Sequence, residues 1–170
     1  MELKNTHIPH GFVIGLAMVV IGLIEYVTGM AFKSGFQYIA YIPFLAGLIL
    51  NARAFAKAND GFVTFGNVFG SGFKATMIVT IVMVAWALTT LLIFPEMKTK
   101  ALEMSREQMA KNPKMTDEQL DAALKITMKF WNTIVVASSI LGTMFFGAIF
   151  SLIAAGTVPK KGPKPIGDVF

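Results

Sequence analysis

The sequence contains no cysteine and few charged residues. It therefore has no disulfide, no thiol nucleophile and no Cys-ligated zinc or iron–sulfur centre. Only 15% of its 170 residues are charged, against roughly 25% in an ordinary soluble domain. It also lacks a glycine-rich phosphate loop, a nucleophile elbow and an HExxH motif. We predict no enzymatic activity, no cofactor and no catalytic, cofactor-binding or metal-binding residue, since His7 and His10 have no neighbouring carboxylate or cysteine.

Long uncharged runs dominate the chain instead. Four runs of 20, 19, 21 and 30 residues separate charged side chains, and each is close to the ~20 residues that cross a bilayer. We predict an all-α membrane protein with four transmembrane helices in an antiparallel bundle, forming one domain over residues 1–170. The predicted spans are about 11–32, 36–54, 75–94 and 131–155. Pro43 lies inside span 2, where a proline can kink the helix.

Two further helical regions are predicted outside the spans. Phenylalanines at positions 62, 65, 69 and 73 share one helical face, which favours a short interfacial helix before span 3, or the base of span 3 itself. Residues 96–130 hold seven of the fifteen Lys/Arg and six of the ten Asp/Glu. A capping box at Thr116–Gln119 and a break at Asn112–Pro113 predict a polar helical hairpin between spans 3 and 4.

The net charge of +5 comes from basic residues beside the spans, which favours lipid headgroups over nucleic acid as partners. Residues 156–170 form a basic tail, whose Lys160, Lys161 and Lys164 are expected to contact headgroups. Basic residues near the membrane ends favour a multi-pass protein with both termini in the cytoplasm.

Glu25 is the one ionisable residue well inside a predicted span, and an acid at such depth is a candidate functional residue. It shares a helical face with Gly11, Gly15, Gly22 and Gly29, so we expect it to face other helices. Depth matching predicts a buried polar layer formed by Glu25, Tyr41, Thr89, Thr90, Ser138 and Ser139. Glu25 would then be either a packing carboxyl group or a proton- or ligand-handling one.

Small residues recur every four positions along span 4. This stripe allows close approach of another helix, because association inside lipid depends on packing and hydrogen bonds. It consists of Ser139, Thr143, Gly147, Ser151 and Ala155.

The order of these features resembles domain-of-unknown-function family 4199, small four-span membrane proteins of Bacteroidota. The resemblance rests on the segment Asp60–Gly66, on Pro95–Glu96, on Met115–Leu120 and on the end of span 4 at Ser151–Ala155. It implies a bacterial inner (cytoplasmic) membrane and a genomic association with membrane glycosyltransferases. It implies no catalytic residue.

Two functions remain open. The first is a non-enzymatic membrane subunit or scaffold that packs with another membrane protein, such as a glycosyltransferase or other envelope-biogenesis complex, or with a second copy of itself. The alternative is a small proton-coupled transporter that uses Glu25. The long polar hairpin predicted at residues 96–130 favours the subunit over the transporter, since small multidrug-resistance antiporters have short loops.

Overall fold

A computed structural model describes residues 3–33, 35–111 and 115–163. Within these ranges the chain has six α-helices and no strand, so the prediction of an all-α chain is confirmed. The helices are α1 His7–Val27, α2 Tyr41–Ala58, α3 Phe65–Ile93, α4 Glu96–Ala110, α5 Asp117–Lys129 and α6 Trp131–Gly156.

Three of these helices, α1, α3 and α6, are long and apolar enough to cross a membrane. The chain is therefore a helical membrane protein. The helix α2 is not among the three; its second half contains Asn51, Arg53 and Lys57. Four spans in an antiparallel bundle stay a prediction.

The first helix ends earlier than predicted. Its last residue is Val27 rather than Phe32, because Gly29 adopts a left-handed backbone with φ 71°. A left-handed glycine just beyond the last turn is a common helix stop. Two 3₁₀ turns follow, at Met30–Phe32 and Phe36–Tyr38.

The second helix begins later than predicted, at Tyr41. Pro43 is consequently the third residue of α2 and lies in its first turn. Proline is tolerated there without a kink, because first-turn residues have no intrahelical acceptor for an N–H group.

The third helix corrects the prediction of a separate interfacial helix. Phe65–Ile93 is one continuous helix, so the phenylalanine face forms the base of α3, which was the alternative prediction. No proline interrupts this stretch. Phe69 and Phe73 stack with ring centroids 5.9 Å apart, whereas Phe62 lies before the helix.

The described chain divides into two compact units. The first unit comprises Met1–Met83 and Leu141–Phe170, and its helices share one hydrophobic core. Tyr41 of α2 packs on Phe146 of α6 with ring centroids 4.5 Å apart. The core includes Ile14, Met18, Phe44, Leu48, Val68, Ala75, Val79, Ala154 and Ala155.

Glycines bring the helices of the first unit into close contact. A Cβ atom added to Gly11 would stand 2.8 Å from the backbone oxygen of Ala75, and one added to Gly15 would stand 2.8 Å from Cβ of Val82. In the same way, α2 approaches α1 where Gly47 faces Ile14. Side chains at these glycines would separate the helices.

The second unit, Val84–Ile140, contains α4 and α5. These helices contact each other, and Arg106 of α4 lies 3.8 Å from Asp121 of α5. Thr116 Oγ1 accepts from the Gln119 backbone, and Gln119 Oε1 accepts from the Thr116 backbone, so the predicted capping box is present. The predicted break at Asn112–Pro113 lies outside the described residues.

Candidate binding site at the polar end of the first unit

A buried asparagine links three segments at the end of the first unit where α1 begins, α2 ends and α3 begins, here called the polar end. Asn51 of α2 has no exposed surface. Thr6 Oγ1 donates to Asn51 Oδ1 at 2.8 Å, and Asn51 Nδ2 donates to Ser71 Oγ at 3.2 Å. The buried amide is thus satisfied on both atoms, and this fixes its orientation.

Asn59 fixes the segment that precedes α1. The backbone N–H of Lys4 donates to Asn59 Oδ1 at 2.9 Å, and Asn59 Nδ2 donates to the carbonyl oxygens of Lys4 at 3.2 Å and of Phe55 at 2.8 Å. These bonds place Leu3 and Asn5 beside the end of α2 and the start of α3.

The start of α3 is capped reciprocally. Thr64 Oγ1 accepts from the backbone N–H of Asn67, and Asn67 Oδ1 accepts from both the backbone N–H and the hydroxyl group of Thr64. An asparagine here takes the role that Glu or Gln has in the common capping box. The cap uses Oδ1 of Asn67 and leaves Nδ2 available.

These segments surround a cavity of about 510 Å³. Phe55 and Leu3 supply apolar walls, Gly66 and Gly70 supply bare backbone, and Lys74 supplies a positive charge. Among the described residues, the lining consists of Leu3, Asn5, Phe55, Gly66, Asn67, Gly70, Ser71 and Lys74.

Glu25 lies closer to a helix end than predicted. Phe32 was expected to end the helix seven residues later, which would have put Glu25 about 10 Å from that end. Val27 ends α1 only two residues after Glu25, which corresponds to about 3 Å. The Oε1 atom of Glu25 is nevertheless buried and has no hydrogen-bond partner among the described residues.

The other members of the predicted polar layer are distributed over both units. Tyr41 is the first residue of α2 and packs among aromatic rings. Thr89 and Thr90 belong to the second unit and donate to carbonyl oxygens of their own helix, those of Ala85 and Ala87, each at 2.8 Å. Ser138 and Ser139 also belong to that unit. A joint layer with Glu25 stays a prediction.

A family model described as a protein of unknown function (DUF4199) matches residues 9–160. The chain belongs to the DUF4199 family. No match was found among curated proteins or among solved structures. Within the described residues there is no group of three His, Cys, Asp or Glu side chains arranged to hold a metal ion.

In this DUF4199 chain, the small-residue stripe of α6 lies against α3 within the first unit. A Cβ atom on Gly72 would stand 3.0 Å from Ser151 Oγ, and one on Gly147 would overlap Thr76. Thr143, Ser151 and Ala155 are buried. Ser139, the first member of the stripe, belongs to the second unit.

Only part of the predicted glycine face of α1 packs closely against another helix. Gly11 and Gly15 lie against α3, whereas a Cβ atom on Gly29 would meet nothing within 4 Å. Gly29 stops the helix rather than packing it. The close seam therefore does not extend through the whole predicted face.

Lys161 of the basic tail contacts the α2–α3 loop. The Lys161 backbone N–H donates to the Gly61 carbonyl oxygen at 2.9 Å, and Lys161 Nζ donates to the Asp60 carbonyl oxygen at 3.0 Å. Lys160 Nζ donates to the carbonyl oxygens of Ala155 and Val158. Both ammonium groups thus have partners within the chain, and their contact with lipid headgroups stays a prediction. Lys164 lies outside the described residues.

Sequence reasoning missed the polar residues of the cavity. Asn67, Ser71 and Lys74 recur at intervals of four and three, which places them on one helical face. This spacing is visible in the sequence, but the stretch was interpreted from its four phenylalanines alone. The partner of Asn51 could not be read from spacing, since Ser71 lies 20 residues away.

Proposed function

We propose that this protein is a non-enzymatic membrane subunit that packs with another membrane protein. In this proposal it crosses a bacterial inner membrane four times, with both termini in the cytoplasm. The partner belongs to an envelope-biogenesis complex, for which a membrane glycosyltransferase is the leading candidate. A second copy of this chain is the other partner considered.

The observation that carries the proposal is a pair of exposed apolar side chains at the end of α5, outside the candidate spans. Ile126 and Phe130 are four residues apart, on one helical side, and are 61% and 47% exposed. A separate cavity of about 340 Å³ lies at the other end of α5 and is lined by Met109 of α4 and by Met115, which precedes α5. Methionine is adaptable in contacts, and exposed apolar clusters commonly mark interaction sites.

The close helix contacts of the first unit support a packing role over transport. Gly11, Gly15, Gly72 and Gly147 each leave too little room for a Cβ atom without displacement of a neighbour. Neither cavity described here is lined by Glu25. A carrier would instead need a water-accessible path to its ionisable group.

Photo-crosslinking in native membranes tests the proposal. A photoreactive amino acid replaces Ile126 or Phe130 in the full chain, and the matched control replaces Leu16, which is 57% exposed on α1. We expect positions 126 and 130 to crosslink the same integral membrane protein, identified by mass spectrometry, and position 16 to crosslink lipid. A crosslink to lipid alone at 126 and 130 would refute the docking role.

The alternative function is a small proton-coupled transporter, favoured by one observation. The Oε1 atom of Glu25 is buried without a hydrogen-bond partner in the described chain, as expected of a carboxyl group kept available for a proton. Proton flux into liposomes that contain the purified protein distinguishes the two functions. Flux above that of protein-free liposomes, abolished in Glu25→Gln, would replace the subunit proposal.

A further inference from the structure

Two side chains of the cavity at the polar end have hydrogen-bond donors that are not used within the described chain. Ser71 Oγ accepts from Asn51 Nδ2, so its hydroxyl proton is available to donate. Asn67 Oδ1 accepts two hydrogen bonds from Thr64, so Nδ2 is its remaining polar group. Both residues line the cavity. These two donors can bind a ligand that accepts hydrogen bonds.

The cavity carries a positive charge, which would attract an anionic ligand. Lys74 lines it, and in the described chain its ammonium group has neither an ion pair nor a hydrogen bond. Among the residues that the structure describes, no acidic side chain lines the cavity. An anion would therefore form a charge-assisted hydrogen bond with Lys74 without displacing an existing partner.

The position of Lys74 along α3 indicates the source of the anion. The helical residues that follow, Ala75–Ile93, carry no charge and number 19. At 1.5 Å per residue they span about 28 Å, close to the ~30 Å of a bilayer hydrocarbon core. Lys74 then lies at the level of the lipid phosphate groups.

The shape of the cavity fits a headgroup that enters from this level. A Cβ atom on Gly70 would meet nothing within 4 Å, and one on Gly66 would meet only Thr64 Oγ1 at 3.9 Å. The missing side chains leave room beside the donors. Phe55 and Leu3 provide apolar walls for the glycerol part of a lipid.

We propose that this cavity binds the phosphate group of a membrane phospholipid, held by Lys74, Ser71 and Asn67. The site is separate from the predicted headgroup contacts of Lys160 and Lys161. It does not depend on the proposed docking role of α5.

Native mass spectrometry of the delipidated full chain in neutral detergent tests this proposal. The probes are phosphatidylglycerol and a diacylglycerol with the same acyl chains, which lacks the phosphate. We expect phosphatidylglycerol to bind at least tenfold more tightly. Lys74→Gln should weaken its binding about tenfold, as expected for a lost charge-assisted hydrogen bond. Lys57→Gln removes an exposed charge of α2 outside the cavity lining and should change binding less than twofold.

A second variant tests the location without removing charge. Gly70→Leu adds a bulky side chain to the cavity lining, and the open space around this helical position lets the variant fold. It should weaken phosphatidylglycerol binding at least tenfold while thermal stability is kept. Gly142→Leu, whose added Cβ also meets nothing within 4 Å, is the control that should bind normally.

Three outcomes would overturn the proposal. Equal losses in Lys74→Gln and Lys57→Gln would indicate general surface attraction. Unchanged binding in Gly70→Leu would place the lipid elsewhere. Displacement of phosphatidylglycerol by millimolar inorganic phosphate would assign the cavity to phosphate from solution rather than to a lipid.

Discussion

Gly147 of α6 lies so close to Thr76 of α3 that a Cβ atom on the glycine would overlap the threonine side chain. Four residues away on each helix, the roles are exchanged, since Gly72 of α3 faces Ser151 of α6. Each helix thus places a glycine opposite a hydroxyl-bearing residue of the other. Both hydroxyl residues have no exposed surface.

Gly147→Leu should destabilise the protein strongly. The added side chain must displace Thr76, and overpacking of this kind typically costs about 1–3 kcal/mol. Leu152→Ala is the matched comparison, because Leu152 neighbours the stripe but is 48% exposed, and we expect a change below about 0.5 kcal/mol. Thermal unfolding in detergent measures both, and equal stability of the two variants would contradict the assignment of this contact.

Asn51→Leu should also destabilise the first unit. It removes the donor to Ser71 Oγ, a residue that is only 5% exposed, and leaving a buried polar group without its partner costs about 1–3 kcal/mol. Lys57→Ala, on an exposed position of the same helix, should cost less than about 0.5 kcal/mol. Chemical unfolding in detergent compares the two, and a neutral Asn51→Leu would show that the bridge contributes specificity rather than stability.

Glu25→Gln should fold and assemble normally under the subunit proposal. The side chain keeps its volume, and Oε1 has no hydrogen bond in the described chain to lose. We expect a change in stability below about 0.5 kcal/mol, equal to that of Glu107→Gln on the exposed face of α4. Size-exclusion chromatography and thermal unfolding provide the measurement. A clear loss of stability confined to Glu25→Gln would show that the carboxyl group has a structural partner.

Thr116→Ala should loosen the start of α5. The substitution removes the oxygen that accepts from the Gln119 backbone, and such caps contribute about 0.5–2 kcal/mol. Hydrogen exchange should accelerate over residues 117–120 while α4 is less affected. Thr127→Ala serves as the control, because Thr127 only donates to the Ala123 carbonyl oxygen within the same helix. Fast exchange over all of α4 and α5 in the unmodified protein would instead show that the pair is not stably folded.

The sequence predicted most helices because their signals are local. Uncharged length revealed α1, α3 and α6, and a four-residue motif located the start of α5. The predicted end of α1 was wrong because Ala31 and Phe32 are as apolar as the helix before them. The apolar run therefore continues past Gly29, where the backbone direction changes. Pro43 was placed inside the predicted second span because residues 36–40 also carry no charge, whereas α2 begins only at Tyr41.

The candidate site was harder to predict because it depends on distant pairs. Asn51 and Ser71 are 20 residues apart, and Asn59 and Lys4 are 55 apart. A single sequence gives no register between helices. Glu25 drew attention as an isolated charge in an apolar run, whereas the cavity residues are common polar types at helix ends.

The contacts between α3 and α6 also constrain the order of events during synthesis. Thr76 and Ser151 are 75 residues apart in the chain, so at ~5–20 residues per second the ribosome needs roughly 4–15 s to make the second after the first. During this interval the face of α3 formed by Gly72 and Thr76 has no α6 to receive it. The contact between α3 and α6 can therefore form only after this interval, and mutations that slow the completion of α6 lengthen it.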